Sequence, residues 1–324
     1  MPKMQEAHID RALTNISVAY LQDASAFIAD KVFPIVPVKR QSDVFYTYNK
    51  GDFMRDEAQV RGAGTESAGG DYGVEANEPY YCRKHAFHKD VTPEERANYD
   101  EPLDADTDAT DFVSQKMLIR REMAWATKFF GAGIWGTEIK GGDAAGEGTA
   151  IKWDLPTSNP IKDITDAAVK MASETGYKPN TLVLSPYAFN ALKNHEDILD
   201  RIKYTQKGIV TADLLATLFE VEHVYVAWGV VNNAAKGAAD DVDFIMGKHA
   251  LLCYSATRPA LRKPSAGYIF AWTGLEGSGA YGNRIVRLPM DQLGLGTERI
   301  EGEIAFDVKK VCADLGVFFD GIVG

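Results

Sequence analysis

No stretch of this sequence approaches the roughly 20 consecutive apolar residues that a membrane-spanning helix requires, and the opening MPKMQEAHIDR lacks the hydrophobic region of a signal peptide. Synthesis and folding in a cytoplasm are therefore expected. Cysteine is scarce, confined to Cys82, Cys253 and Cys312. Their odd number, wide separation and lack of Cys-x-x-Cys spacing argue against a disulfide framework or a zinc ribbon, so reduced, structural thiols are expected. Positive charge is in deficit, with 35 Lys and Arg against 46 Asp and Glu and a formal net charge of −11. A protein that grips nucleic acid by neutralising phosphates needs concentrated Lys and Arg, and this composition lacks that excess. The sequence also has no Gly-x-Ser-x-Gly nucleophile elbow and no phosphate loop ending in Gly-Lys-Ser or Gly-Lys-Thr.

Some constellations imitate functional motifs, but their surroundings fit a plainer reading. Gly277, Gly279 and Gly282 match Gly-x-Gly-x-x-Gly by letter, yet a dinucleotide site needs a helix next, with its N-terminus facing the pyrophosphate. Residues 283–288 read as strand, so a glycine hairpin is expected. Cys82, His85 and His88 share a three-residue spacing within YYCRKHAFHKDV (80–91). That stretch reads as strand, which turns His85 away from the other two and supplies no fourth metal ligand. Asp104, Asp106 and Asp108 resemble the start of a calcium loop, but Ala109 and Gln115 stand where that motif needs glycine and glutamate. Capping of a following helix is the expectation, with a weak ion at a subunit junction as the alternative. Asp240, Asp241 and Asp243 fall in a loop and are expected to be solvated. No catalytic, cofactor-binding or metal residue is assigned, and the chain is not expected to be an enzyme.

What the sequence does contain is structural grammar. Its 324 residues, 45% of them apolar, can bury a sizeable core in one elaborate domain or two lobes. In YKPNTLVLSPYAFNALKNHEDILDRIKYT (177–205), residues 181–184 are a short apolar strand. Ser185 and Pro186 then supply an N-cap oxygen and a first-position proline, so strand turns directly into helix. Phe189 and Leu192 share one face of that helix, and Ile198, Leu199 and Ile202 mark a second amphipathic turn.

Towards the N-terminus, Ile9, Ala12, Leu13, Ile16, Ala19 and Tyr20 have helical spacing, and Pro34 and Pro37 then impose an extended path. Such an arm makes sense lying along a neighbouring subunit. Residues 44–48 and 80–91 read as strands either side of a polar, glycine-rich stretch, forming a long hairpin with a mobile tip. A two-stranded ribbon is marginal alone in water, so this one is expected to be stabilised by another molecule. The longest helix is expected over 107–130, with Phe112, Ile119, Met123, Ala126 and Phe130 on one stripe. Residues 131–148 read as a flexible Gly/Ala loop.

Asn159-Pro160 opens a further helix with Ile161, Ile164, Ala168 and Met171 on its apolar face. Strands are expected over 224–228, 242–246, 251–255, 268–272 and 284–288, and a period-two run follows through Ile300, Ile304, Phe306 and Val308. The result is an α+β chain, a mixed sheet flanked by helices.

The 177–205 segment, the arm FIADKVFPIVPV (27–38) and the following Gln41, Ser42, Tyr46 and Tyr48 together resemble the major capsid proteins of tailed double-stranded DNA bacteriophages, the Hong Kong 97-like fold. The resemblance covers most of the chain. It implies an N-terminal arm (1–42), an extended loop hairpin (43–99), a peripheral domain with a long spine helix (100–158), a central axial domain (159–285) and return strands of the peripheral domain (286–324). It also implies a shell subunit that self-assembles into pentamers and hexamers of an icosahedral head. Expected partners are further copies of itself, a separate scaffolding protein, a portal, a decoration protein, and packaged DNA enclosed without sequence-specific binding. The location implied is the virion, after assembly in the host bacterial cytoplasm, and a mildly acidic shell suppresses adhesion to the enclosed polymer.

Intersubunit contacts are expected from Phe27, Val32, Phe33 and Val36 in the arm, and from Phe45, Tyr46, Tyr48, Phe53, Tyr80, Tyr81 and Phe87 in the loop, since aromatic anchors dominate many interfaces. Relatives that stitch their shells covalently pair a loop lysine with a peripheral asparagine. No asparagine follows Asn283 here, so no such network is expected. The rival readings are an encapsulin-like cargo compartment and a soluble enzyme with an unrecognised site.

Overall fold

The computed structural model describes residues 21–99, 104–202, 210–259, 263–279 and 281–324. The expected helix through Ile9 and Tyr20 lies outside the described residues. From Phe27 the chain makes one helical turn, α1 (Ala29–Val32), and Phe27, Ile28, Ala29, Val32 and Phe33 are all buried. Pro34 cannot continue a helix, and β1 (Ile35–Val38) follows, in parallel register with residues 269–272. Residues 27–38 are built into the subunit's own core and sheet. Each fully buried aromatic or aliphatic side chain there contributes roughly 1.5–3 kcal/mol.

The long hairpin is real, but its return strand differs from expectation. β2 (Ser42–Tyr48) pairs antiparallel with β3 (Val74–Tyr81), with a register shift between Phe45 and Thr47. Between them lies α2 (Lys50–Met54), capped by Asn49, whose side chain accepts the Gly51 N–H. At Cys82 the chain leaves the hairpin, and β4 (Arg83–Val91) joins a different sheet. The expected single run 80–91 is therefore two strands with two partners, and Phe87 does not belong to the loop. A capping box of Thr92 and Glu95 starts α3 (Pro93–Asn98).

The spine helix α4 (Ala105–Phe129) is capped by Asp104. Its buried face is Ala105, Ala109, Val113, Glu122, Trp125, Ala126 and Phe129, whereas Phe112 is exposed. The buried stripe is rotated from the expected one because the small residues Ala105 and Ala109 permit close packing where the larger Phe112 ring does not. Gly302 shows why small residues matter, since a Cβ there would lie 2.4 Å from Val113 Cγ1. The Gly/Ala stretch after the helix contains β5 (Thr137–Gly142), paired in parallel with β6 (Thr149–Ile151), so it is ordered sheet and not only loop.

Helix α5 (Pro160–Thr175) starts on the Asn159 cap and ends at Gly176, whose φ of 74° suits glycine. β7 (Thr181–Leu184) then turns through Ser185 and Pro186 into α6 (Pro186–Asn194), as the sequence indicates. Next come α7 (Glu196–Ile202), which buries Ile198 and Ile202 but leaves Leu199 exposed, and α8 (Ala212–Leu218). The remaining strands are β8 (His223–Val226), β9 (Val230–Asn232), β10 (Val242–Phe244), β11 (Ala250–Cys253), β12 (Gly267–Trp272), β13 (Asn283–Pro289), β14 (Glu298–Lys310) and β15 (Gly316–Asp320).

Two sheets organise the chain. One has the order β6-β5-β15-β11-β7-β8; the other runs β1-β12-β14-β13, with β4 also on β14. Alternation along β7 sends Leu182 and Leu184 into a core with α5 to α8, and Val183 to the opposite face. There Val183 meets Phe33, Trp125, Phe129, Ile304, Phe306 and Phe318, a core shared by the arm, the spine helix and both sheets. β15 was expected among the return strands of the peripheral region, but it lies in the middle of the first sheet, between β5 and β11.

Candidate assembly surfaces

The β2–β3 hairpin carries its apolar side chains outward. Tyr46 and Phe53 are 64% and 61% exposed; Tyr48 and Tyr81 are also exposed. Tyr48, Phe53 and Tyr72 form a ring cluster with centroids 5.4–6.1 Å apart, and the Gly73 N–H donates to Asp52 Oδ2 at 3.0 Å. Tyr72 carries no signal in the sequence because it lies 19 or more positions from its ring partners in a stretch without periodicity. The hairpin base is anchored within the subunit, where Tyr80 stacks on Phe270 at 4.5 Å and 7° and Phe45 lies 5.7 Å from the same ring.

The intersubunit candidates therefore divide by burial. Phe27, Val32, Phe33 and Tyr80 are buried in their own subunit, and Val36 and Phe45 are partly buried against it. Tyr46, Tyr48, Phe53, Tyr81 and Phe87 remain accessible, with Phe87 packed edge-on to Phe112 at 5.6 Å. Aromatic identity alone could not separate the two groups, because an anchor and a core residue read alike.

Charge is unevenly placed. The loop from α2 to β3 holds Asp52, Asp56, Glu57, Glu66, Asp71, Glu75 and Glu78 against Lys50, Arg55 and Arg61. The sheet around β14 is laced with cross-strand ion pairs instead. Glu303 lies between Lys84 and Arg284. Burial alone would raise the Glu303 carboxyl, but hydrogen bonds from Arg284 and Lys84 outweigh it and hold the group below the ordinary glutamate range. Arg299 grips Asp90 with two bonds of 2.7 and 3.0 Å, which lowers that carboxyl. Arg96 joins Asp106 and Glu298 at 2.9 and 2.7 Å.

One acidic group stands apart. Glu122 on α4 is fully buried and accepts the Ile28 and Ala29 N–H groups at 3.1 and 3.0 Å, fastening the start of α1 to the spine helix. Burial pushes its carboxyl up to about 6, against the lowering effect of those two bonds. Beside it Arg121 pairs with Asp30 at 3.1 Å.

A buried serine–histidine pair mimics a nucleophile and its base. Ser158 Oγ lies 3.0 Å from His195 Nε2, but Oγ donates to the Leu155 carbonyl at 2.6 Å, and His195 Nδ1 accepts the Asp197 N–H. Nδ1 is therefore unprotonated and Nε2–H is the donor to Ser158, the reverse of what a general base requires. This pair is a structural polar link.

The other motif residues are dispersed. Cys82 Sγ donates to the Phe270 carbonyl and the His85 ring packs on Phe306. Asp104 caps α4, accepting from the Asp106 N–H and the Thr107 hydroxyl. Gly277 and Gly282 take positive φ in the turn before β13, with no helix following.

Between α4 and β13 runs a groove of about 450 Å³, lined by Met117, Leu118, Arg121, Ile285, Gly302 and Ile304 among others. Arg121 is 8% exposed, and its Nε has no hydrogen-bond partner among the described residues.

Comparison with known proteins places this architecture. Residues 143–253 match the family model described as phage major capsid protein E. The major capsid protein of Pseudomonas phage JBD67 is 27% identical over 97% of both chains. A phage-related protein of Bordetella bronchiseptica RB50 superposes with a TM-score of 0.70 and 23% identity, covering 93% of each chain. The capsid of cyanophage P-SCSP1u superposes with a TM-score of 0.62 and 9% identity, over 98% of this chain and 93% of that one. The chain has the Hong Kong 97-like α+β capsid fold and is related to phage major capsid proteins.

Proposed function

We propose that this relative of phage major capsid proteins is the structural subunit of a phage head, forming pentamers and hexamers that close an icosahedral shell around double-stranded DNA. The observation that carries the reading is the β2–β3 hairpin, which projects Tyr46, Tyr48, Phe53 and Tyr81 to the outside and lacks a core of its own beyond its base. A ribbon of this kind is marginal unless another surface covers it, and repeated heterologous contacts close into rings when the rotation permits. The mechanism is geometric, and no reacting group takes part in it. The net charge of −11 suits a wall that encloses DNA without gripping it. Scaffolding, portal and decoration proteins are the further partners, and the virion, assembled in the host cytoplasm, is the location.

Negative-stain microscopy and light scattering of the purified protein, alone and with its genomic neighbours, test this. Closed polyhedral shells or five- and six-membered rings are expected; a small monodisperse oligomer under every condition refutes it. DNA inside native particles distinguishes a phage head from an encapsulin-like compartment, which would contain a cargo protein. Deleting residues 62–73 is expected to reduce closed particles while leaving the subunit folded, because those residues are exposed and pair with no strand.

A further inference from the structure

The acidic balance of the chain does not extend along the whole spine helix. Asp106, Asp108 and Asp111 sit in the first turns of α4, whereas from Phe112 to Phe129 the one acidic residue is Glu122, which is fully buried. The exposed side chains of this second part include Lys116 and Arg120, one turn or about 6 Å apart along the axis. The neighbouring strand adds to the charge. β4 pairs with β14 so that Phe87 lies opposite Gly302 and His85 opposite Ile304, and Gly302 faces Val113 of α4. Alternation along β4 therefore turns Arg83, His85 and Phe87 towards the helix side of the sheet. Phe87 packs edge-on to Phe112 at 5.6 Å, and Lys116 Nζ lies 5.3 Å over the Phe112 ring. Burial first, and then the charges of Arg120 and Arg83, hold the His85 imidazole below the ordinary histidine range. Among the described residues Arg83, Lys116 and Arg120 have no carboxylate partner, unlike Lys84, Arg96, Arg284 and Arg299 around the same sheet.

We propose that this seam between α4 and β4 docks the phosphate backbone of double-stranded DNA, with Arg83, Lys116 and Arg120 as the contacts. The proposal goes beyond the shell reading and rests on it for the presence of DNA. A polyanion meets three cations here with no protein carboxylate to displace, and it releases its own condensed counterions on contact. DNA fits the seam better than an acidic protein segment does. The exposed apolar area beside the cations is the single ring pair of Phe87 and Phe112, 38% and 41% exposed, which gives a protein partner little to bury, whereas phosphate contact needs none. Contacts of this kind carry no base information, so DNA of any sequence is accepted. Three per subunit are weak singly, and the net charge of −11 keeps the remainder of the surface from adhering to the same polymer.

Lysine acylation of wild-type particles, filled with DNA and emptied of it, tests this by mass spectrometry. Lys116 is expected to react about three-fold or more slowly in filled particles at about 50 mM salt, with the difference shrinking at about 500 mM, because phosphate contacts weaken steeply with salt. Dissociated subunits on a random-sequence DNA duplex supply a second readout: Lys116→Gln/Arg120→Gln should flatten the slope of log affinity against log salt by about 2. Equal Lys116 rates in filled and emptied particles, or a salt slope that the double variant leaves unchanged, overturn the proposal and leave the shell reading standing. Protection found only in DNA-free precursor shells that hold a scaffolding protein also overturns it and assigns the seam to an acidic protein. Particles that never contain DNA overturn both the proposal and the reading of a phage head.

Discussion

Glu122 offers a quantitative test of the core that joins arm, spine helix and sheets. Its carboxyl is buried and pushed up to about 6 from an ordinary 4.5. A raised folded-state pKa means that the folded chain binds more protons than the unfolded chain between those values. The stability from this group is therefore fully present below about pH 4.5 and is lost as pH rises through 6. The shift is worth about 2 kcal/mol over the whole window, with roughly 1.5 kcal/mol of it falling between pH 6.5 and 4.5. Glu122→Gln removes the titration and keeps one acceptor for the Ile28 and Ala29 N–H groups. Urea unfolding of unassembled subunits, wild type against variant across this range, isolates Glu122 because the other carboxylates cancel in the difference. Wild type is expected to gain about 1.5 kcal/mol on the variant as pH falls from 6.5 to 4.5. Parallel pH dependences would refute the account of Glu122 as a buried, charge-disfavoured latch.

Gly302→Ala is expected to destabilise the subunit by about 1–3 kcal/mol, because the added methyl meets Val113 Cγ1 at 2.4 Å. Adding Val113→Ala should recover part of that loss, and a double-mutant cycle by chemical denaturation checks it. Cys253 is fully buried, and burial pushes its thiol and that of Cys82 up to about 12. Both should resist alkylation at pH 8 in the native subunit and react on denaturation, read by mass spectrometry. Ser158→Ala should cost about 1–3 kcal/mol by leaving the buried His195 Nε2–H unpaired; a neutral effect on the unfolding midpoint would contradict the assigned tautomer. Purified particles, reduced and boiled, should run as a single subunit band, and a ladder would reveal covalent stitching.

Where the physics was local, the sequence determined the outcome. The Ser185 cap with Pro186 turned β7 into α6, Asn159 with Pro160 opened α5, and Asp104 capped the spine helix, because each needs only neighbours a few residues away. The absence of a basic excess and of catalytic motifs was equally readable in composition. The groupings carrying the fold and its surfaces were decided only in three dimensions. The run 80–91 divided at Cys82 because its two halves found different partners, β2 and β14. The spine stripe turned away from Phe112 because Gly302 admits Val113 at close range. Phe27 and Phe33 became core while Tyr46 and Phe53 stayed outside, a choice set by long-range packing and invisible in residue type. Glu122 is the extreme case, a carboxylate made unusual by backbone groups up to 94 positions away. Periodicity and capping report the chain's nearest neighbours; burial, and with it the chemistry of every group described here, depends on distant ones.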